Sequence, residues 1–220
     1  MKTKHTVVII DDHPIIHDGL RILLGGQPDL DLVSSAMSAN EALGTLEESV
    51  PDLIIMDLSL GGSDGVYLLQ KLRKLYPKLR ILVYTMSEEK LFAERCGTAG
   101  ANGYVMKTQA PAELKKAIRQ VLAGTPYFTP ETLERLKKRD AGRGSGTHTL
   151  IDTLSNRELD VFKLIGEGLD TVGISERLNI SRNTVDTHRI NIKNKLELTN
   201  GKALDRFAYE AIQKGTFPEK

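Results

Sequence analysis

Tryptophan is absent from this chain, and aromatic residues make up only 5% of it. So thin a complement argues against a platform on which unpaired bases stack. Cysteine occurs once, at Cys96. A single thiol closes no internal disulfide and builds no thiolate metal cluster, so it reads as a small helix residue in a protein of the reducing cytoplasm. No apolar run approaches the roughly 18 residues of a membrane span, so none is expected. The opening MKTKHTVVIIDDH has an apolar run of four, too short for a signal-peptide core. Neither sign of charge dominates. Residues 1–126 carry 14 basic against 15 acidic side chains, and residues 127–220 carry 16 against 14. A nucleic-acid surface therefore has to be argued from local pattern. A glycine-rich phosphate loop is also missing: LSLGGSDG, at 58–65, lacks its lysine and spacing.

What is present is alternation. Strand-like runs at 6–10, 31–36, 53–56, 80–85 and 103–106 are separated by segments with helical spacing, at 14–24, 40–48, 65–75, 88–96 and 113–122. That order predicts an α/β domain with a parallel sheet covered on both faces. Such sheets place polar sites at the carboxyl ends of their strands. Asp11 and Asp12 end the first strand, Asp57 the third and Thr85 the fourth, and Lys107 follows the fifth. Each acid might individually cap a following helix. Polar groups at four strand ends of one small domain point instead to a shared rim. Three carboxylates suit a hard divalent cation such as Mg²⁺ better than zinc. A lysine and a hydroxyl beside them can hold a phosphoryl group, and an aspartate can accept one.

After Leu122 the pattern changes. Turn signals at 124–126 and 129–130 precede a short helix, 131–138, and then the charged, glycine-rich KKRDAGRGSGTHT, expected to be a flexible connector. From about 152 to 214 the pattern is helical throughout. Ser155 and Glu158 form a capping box, and Ser181 caps the helix that carries NTVDTHRINIKNKL. Two helices joined at NIS fit a helix-turn-helix. The second holds Arg182, Arg189, Lys193 and Lys195 against Asp186. Val185, Ile192 and Leu196 should face the core. Arg182, Lys193 and Lys195 are candidates for phosphate contact. Asn183, Thr184, Thr187, His188 and Asn191 face outward, and Thr187, His188 and Asn191 are candidates for the groove floor.

IIDDHP, IIMDLSLGGSDG, VYTM and GYVMK, at this spacing, closely resemble the receiver domain of bacterial two-component response regulators. LSNRELDVFKLIGEGLDTVGISERLNISRNTVDTHRINIKNKL resembles the NarL/FixJ (LuxR-type) helix-turn-helix domain. The resemblance implies a flavodoxin-like (βα)5 doubly wound receiver over 1–126. A short helix and flexible linker follow at 127–149, then a four-helix, helix-turn-helix DNA-binding domain at 150–216. It implies Asp57 as phosphoacceptor. Mg²⁺ would be held by Asp11 (directly or through water), Asp12, Asp57 and the Ser59 backbone carbonyl. Thr85, Lys107 and Tyr104 would read the phosphoryl group, although by pattern alone Tyr104 is a core aromatic.

Its function would be transcription regulation, switched when a sensor histidine kinase phosphorylates Asp57, with a homodimer on double-stranded DNA. It would not be an enzyme beyond its own phosphoryl transfer and slow autodephosphorylation. Ala203, Phe207 and Ala211 on the last helix are candidate dimer contacts, although the same stripe can fill the domain's core. The sequence departs from the family pattern at Leu60 and Gly61, where Met and Pro are frequent, and at Met86, Thr108 and Asp186. The Asp186 carboxylate costs DNA affinity unless a cytosine amine or a neighbouring side chain donates to it. Two other readings compete. A haloacid-dehalogenase-like enzyme would need a second Asp where Ser59 stands. A phosphorylation-independent DNA-binding protein, using the receiver only to dimerise, would have no chemical reason to keep Asp11, Asp12, Asp57, Thr85 and Lys107.

Overall fold

The apolar runs Val7–Ile10 and Leu53–Met56 are too short and too uniformly apolar for anything but strands enclosed on both faces. In the computed structural model, which describes residues 4–60, 63–140 and 150–214, they form the centre of a sheet. Its strands are β1 (His5–Ile10), β2 (Leu30–Ala36), β3 (Leu53–Met56), β6 (Arg80–Thr85) and β7 (Gly103–Met106). All pair in parallel, in the order β2-β1-β3-β6-β7. The expected (βα)5 architecture is therefore found. Between β3 and the next helix lies a small unanticipated hairpin, β4 (Ser59–Leu60) and β5 (Ser63–Asp64). Two-residue strands leave no periodicity to read.

Helices α1 (Pro14–Gly25), α2 (Ala39–Glu48), α3 (Gly65–Leu75), α4 (Glu89–Ala99) and α5 (Pro111–Leu122) connect the strands. On one face Leu20 and Leu24 of α1 and Leu114, Ala117, Ile118 and Val121 of α5 pack on Val7, Ile9, Leu53, Ile55 and Leu82. Strand alternation sends the equally buried Val8, Ile10, Ile54, Met56, Ile81 and Val83 to the other face. Chain reversal between β1 and β3 opens a crevice at their carboxyl ends, and β1 and β3 deliver Asp11 and Asp57 there.

Past α5 the chain returns to the sheet. Tyr127 bridges Gly103, accepting from the Tyr104 amide at 2.8 Å and donating to Asn102, so it closes the free edge of β7. Helix α6 (Pro130–Asp140) then packs on α4, with Leu136 lying over Gly97. The expected helix at 131–138 is this one, and it belongs to the first of two units, Met1–Gly142. Residues 141–149 of the expected connector lie outside the described residues.

In the second unit, Arg143–Lys220, the described residues begin with a 3₁₀ turn, Leu150–Thr153, and continue through four α-helices as anticipated. They are α7 (Asn156–Gly166), α8 (Thr171–Leu178), α9 (Arg182–Lys195) and α10 (Gly201–Lys214). Ser155 and Glu158 form the expected capping box, Asp170 caps α8, and Ser181 caps α9 by accepting from the Thr184 amide. Leu159, Phe162, Ile174, Val185, Ile192, Leu196, Leu204 and Ala208 make its core. Among the described residues no helix is long and apolar enough to cross a membrane.

Candidate functional site

Four elements converge at the carboxyl end of the sheet. Asp11 leaves β1, Asp57 leaves β3, Thr85 ends β6 and Lys107 follows β7. The Lys107 ammonium lies 2.7 Å from Asp11 Oδ2 and 2.6 Å from Asp57 Oδ2, with all three side chains almost wholly enclosed. The other Asp57 oxygen accepts from the backbone amides of Leu58, at 2.6 Å, and Ser59, at 3.3 Å. Both oxygens of Asp57 are thus oriented by donors. Burial pulls the Lys107 pKa down, but the charges of Asp57 and Asp11 and their hydrogen bonds outweigh it, leaving it above its ordinary value. Burial raises the Asp11 pKa, and Lys107 offsets this only in part.

Asp12 is half-buried on the same rim. His13 Nδ1 is 2.8 Å from Asp12 Oδ1 and 3.2 Å from Asp11 Oδ1. His13 is the N-cap of α1 and makes no side-chain cap bond, so α1 starts without an acidic cap. One ligand atom each from Asp11, Asp12, His13 and Asp57 lies within 4.8 Å of the others. Three carboxylates facing a single ammonium leave an excess of negative charge, which a divalent cation with oxygen ligands relieves. The chemistry of this donor set therefore fits a hard divalent metal.

Thr85 is wholly buried at the end of β6, paired with Met106 of β7. Its carbonyl accepts from the Lys107 amide at 2.7 Å, and its hydroxyl accepts from the Ser87 amide at 3.3 Å. Tyr104 is buried as a core residue, with its hydroxyl donating to the Ser87 carbonyl at 2.8 Å. Both residues therefore grip the β6–α4 loop, Tyr104 from beneath and Thr85 from the pocket end. Met86 between them is exposed.

Gly65 ends LSLGGSDG and opens the expected helical segment at 65–75, and packing gives it a further role. Its amide donates to the Leu58 carbonyl, and a Cβ there would stand 2.3 Å from that oxygen. Only glycine lets the start of α3 press against the residue that follows Asp57.

In the second unit, α9 presents two kinds of surface. Val185 and Ile192 face the core, as expected. Lys195 is exposed along its stem but engaged at its tip: its ammonium is 2.6 Å from Glu158 Oε2, which also accepts from the Ser155 amide. Burial works to raise the Glu158 pKa, but Lys195 and the Ser155 donors together hold it below the usual glutamate range. Arg189 pairs with Asp205 at 2.6 Å. His188 is half-buried, and burial lowers its pKa. The outward face comprises Asn183, Thr187, Ile190, Asn191 and Asn194, all exposed, with Arg182, Thr184 and Lys193 on its flanks. Ile190 and Asn194 escaped the sequence reading, although both continue the i, i+4, i+7, i+11 series begun by Asn183. Asp186 accepts from the Thr171 hydroxyl at 3.2 Å, so a neighbouring side chain does donate to that carboxylate.

On α10, Leu204, Ala208 and Ala211 are buried and Phe207 meets Phe162 edge-on, with ring centroids 6.0 Å apart. Of the three candidate dimer contacts, Ala211 is thus enclosed within its own domain. Ala203 and Phe207 remain partly exposed.

Residues 7–119 match the family model of the response regulator receiver domain, and residues 152–208 that of the bacterial regulatory proteins of the luxR family. The transcription regulator of virulence factors BvgA of Bordetella pertussis is 32% identical over 194 residues, spanning 88% of this chain and 91% of its own. Fimbriae Z protein of Salmonella typhimurium is 33% identical over 193 residues, 88% of this chain and 90% of its own. Among solved structures, the RcsB response regulator of Salmonella typhimurium aligns with a TM-score of 0.63 at 26% identity, over 94% of this chain and 98% of its own. RcsB bound to the promoter rprA in the presence of the phosphomimetic BeF3⁻ aligns with a TM-score of 0.61 at 27% identity, over 94% of this chain and 99% of its own. The chain belongs to the NarL/FixJ (LuxR-type) family of two-component response regulators.

Proposed function

We propose that this protein is a DNA-binding transcriptional regulator switched by phosphorylation of Asp57 from a partner histidine kinase. The observation that carries the reading is the ammonium of Lys107 bridging Asp11 and Asp57 at the crevice of the sheet. A carboxylate oxygen of Asp57 attacks phosphorus, the bond from phosphorus to the donor's imidazole breaks, and the imidazole departs. Mg²⁺, held by Asp11, Asp12, Asp57 and the Ser59 backbone carbonyl, would supply charge neutralisation for the phosphoryl oxygens.

Lys107 has three donor hydrogens, so it can follow the phosphoryl group while keeping Asp11. Thr85 offers its hydroxyl to the same group, and any shift of the loop it grips is felt by Tyr104 through the Ser87 carbonyl. Phosphorylation adds up to about two negative charges at this point. The loop and α4 are then the two-state element that it biases.

In this reading residues 1–126 are the receiver, 127–149 the connecting helix and linker, and 150–216 the DNA-binding domain. Arg182 and Lys193 contact DNA phosphates, and the exposed face of α9 enters the major groove. The chain binds as a homodimer whose symmetry matches its site, with Ala203 and Phe207 the accessible part of a partner surface on α10. RcsB bound to promoter DNA supports the DNA reading by likeness, and RcsB dimers bound to DNA support the pairing. The test is mass spectrometry after incubation with acetyl phosphate and Mg²⁺: the wild-type chain gains one phosphoryl group and Asp57→Asn gains none. Equal gain in both overturns the assignment.

A further inference from the structure

Most of what α9 shows to solvent is neutral. Its central outward positions are Asn183, Thr187, Ile190 and Asn194, opposite the buried Val185 and Ile192. Ile190 is 54% exposed, an aliphatic side chain left bare in the middle of an otherwise polar surface. Thr187, one turn before it, donates its hydroxyl to the Asn183 carbonyl at 2.8 Å. Its donor hydrogen is spent on the backbone, so toward a base it presents its methyl and an acceptor oxygen. The two residues form an apolar strip about one turn long. The cations that could read guanine are elsewhere: Arg189 is paired with Asp205 and Lys195 with Glu158, while Arg182 and Lys193 flank the face.

Major-groove edges differ in what they offer such a surface. Thymine alone presents a methyl group, and adenine presents the donor–acceptor pair that an asparagine amide meets with two hydrogen bonds. Guanine is met best by arginine or lysine, which the centre of this face lacks. Covering Ile190 gains most where the group that displaces its water is itself apolar and gives up no hydrogen bond to water. The 5-methyl of thymine is the apolar group the groove provides.

We propose that Ile190, with the Thr187 methyl, determines sequence specificity by packing on thymine methyl groups, so that this protein reads A·T pairs at the centre of each half-site. The inference rests on α9 being the DNA-reading helix and names the chemistry it reads. Burying one methyl contributes ~0.8 kcal/mol, about a fourfold change in affinity.

The experiment uses the full chain, phosphorylated with acetyl phosphate and Mg²⁺, and a duplex selected from a random library by its binding. Single thymines in that duplex are replaced by deoxyuridine, which removes the methyl and nothing else. The selected site carries thymine within each half-site, and at one or two of these positions the replacement weakens wild-type binding about fourfold. In Ile190→Ala the same replacement has no effect, because the partner of the methyl is already gone. Ile190→Val retains part of the dependence, and unchanged thermal melting of both variants shows that the fold is intact. Wild-type binding indifferent to every methyl, or an equal loss in Ile190→Ala, overturns the role of Ile190 alone. A chain that selects no duplex overturns the DNA-reading assignment of α9 together with it.

Discussion

The Lys107 ammonium sits 2.6 Å from Asp57 Oδ2, inside a pocket that admits almost no solvent to either side chain. It is the cation that lets Asp11 and Asp57 face each other. Removing one partner of a buried ion pair leaves charge uncompensated, at a cost of about 3 kcal/mol. Lys107→Met should therefore lower the melting temperature of the first unit, and added Mg²⁺ should restore more of it than it adds to the wild type. Melting followed by calorimetry across a Mg²⁺ titration measures this. A variant whose melting ignores Mg²⁺ would show that the carboxylates do not form a cation site.

Gly65 supports the same site from the backbone. The Cβ of an alanine there would meet the Leu58 carbonyl and Cα, at 2.3 and 2.5 Å, and neither is the end of a flexible side chain. Relief has to come from moving Leu58, whose amide orients Asp57. Gly65→Ala is expected to cost about 1–3 kcal/mol and to slow phosphorylation by acetyl phosphate. Unimpaired phosphorylation in a destabilised variant would separate the packing role from the orienting one.

Tyr104→Phe removes one buried hydrogen bond, to the Ser87 carbonyl, and should cost about 1 kcal/mol in denaturant unfolding. Because its hydroxyl lies outside the acidic pocket, the yield of phosphorylated Asp57 should not change. The response of DNA affinity to phosphorylation should shrink, since a link between the β6–α4 loop and β7 is cut. A variant with full phosphorylation and full DNA response would remove Tyr104 from the switch.

Much of this was legible in the residues. Parallel strands were marked by Val7–Ile10 and Leu53–Met56, and strand-end logic alone brought Asp11, Asp57, Thr85 and Lys107 to one rim. Pairing was not legible. Lys195 looks like any other cation on α9 until α7 is packed beside it and Glu158 is found within reach. Ala211 looked available because a helix stripe does not say which of its residues the domain's own core takes. The edge closure by Tyr127 was equally hidden, since one bridging residue leaves no period.

Glu158 gives the second unit an acid-sensitive joint. Its folded pKa lies below the unfolded one, so its contribution is complete above the ordinary glutamate range and disappears as pH falls through the folded value. Glu158→Gln should cost about 1–2 kcal/mol near neutral pH, and the difference from wild type should close as the solution is made acidic. Urea unfolding across pH tests it; a gap that stays constant would mean that the charge of Glu158 contributes nothing.

The two lysines near the end of α9 should behave differently. Lys193 flanks the exposed face and has no ion-pair partner within 4.0 Å among the described residues, whereas Lys195 is held by Glu158. A cation that neutralises a DNA phosphate releases a counterion, and its loss lowers the salt slope of binding by about 1. Lys193→Ala should show that drop and bind specific and random duplexes equally less well, with the stability of the domain unchanged. Lys195→Ala should move the slope much less, because that ammonium is engaged within the protein. Its main effect should be on unfolding, since Glu158 then stands buried without its cation. Fluorescence anisotropy with short duplexes at several salt concentrations, set beside urea unfolding of both variants, separates the two roles. Equal slopes for both variants would mean that the Glu158–Lys195 pair opens on DNA and that Lys195 is a phosphate contact after all.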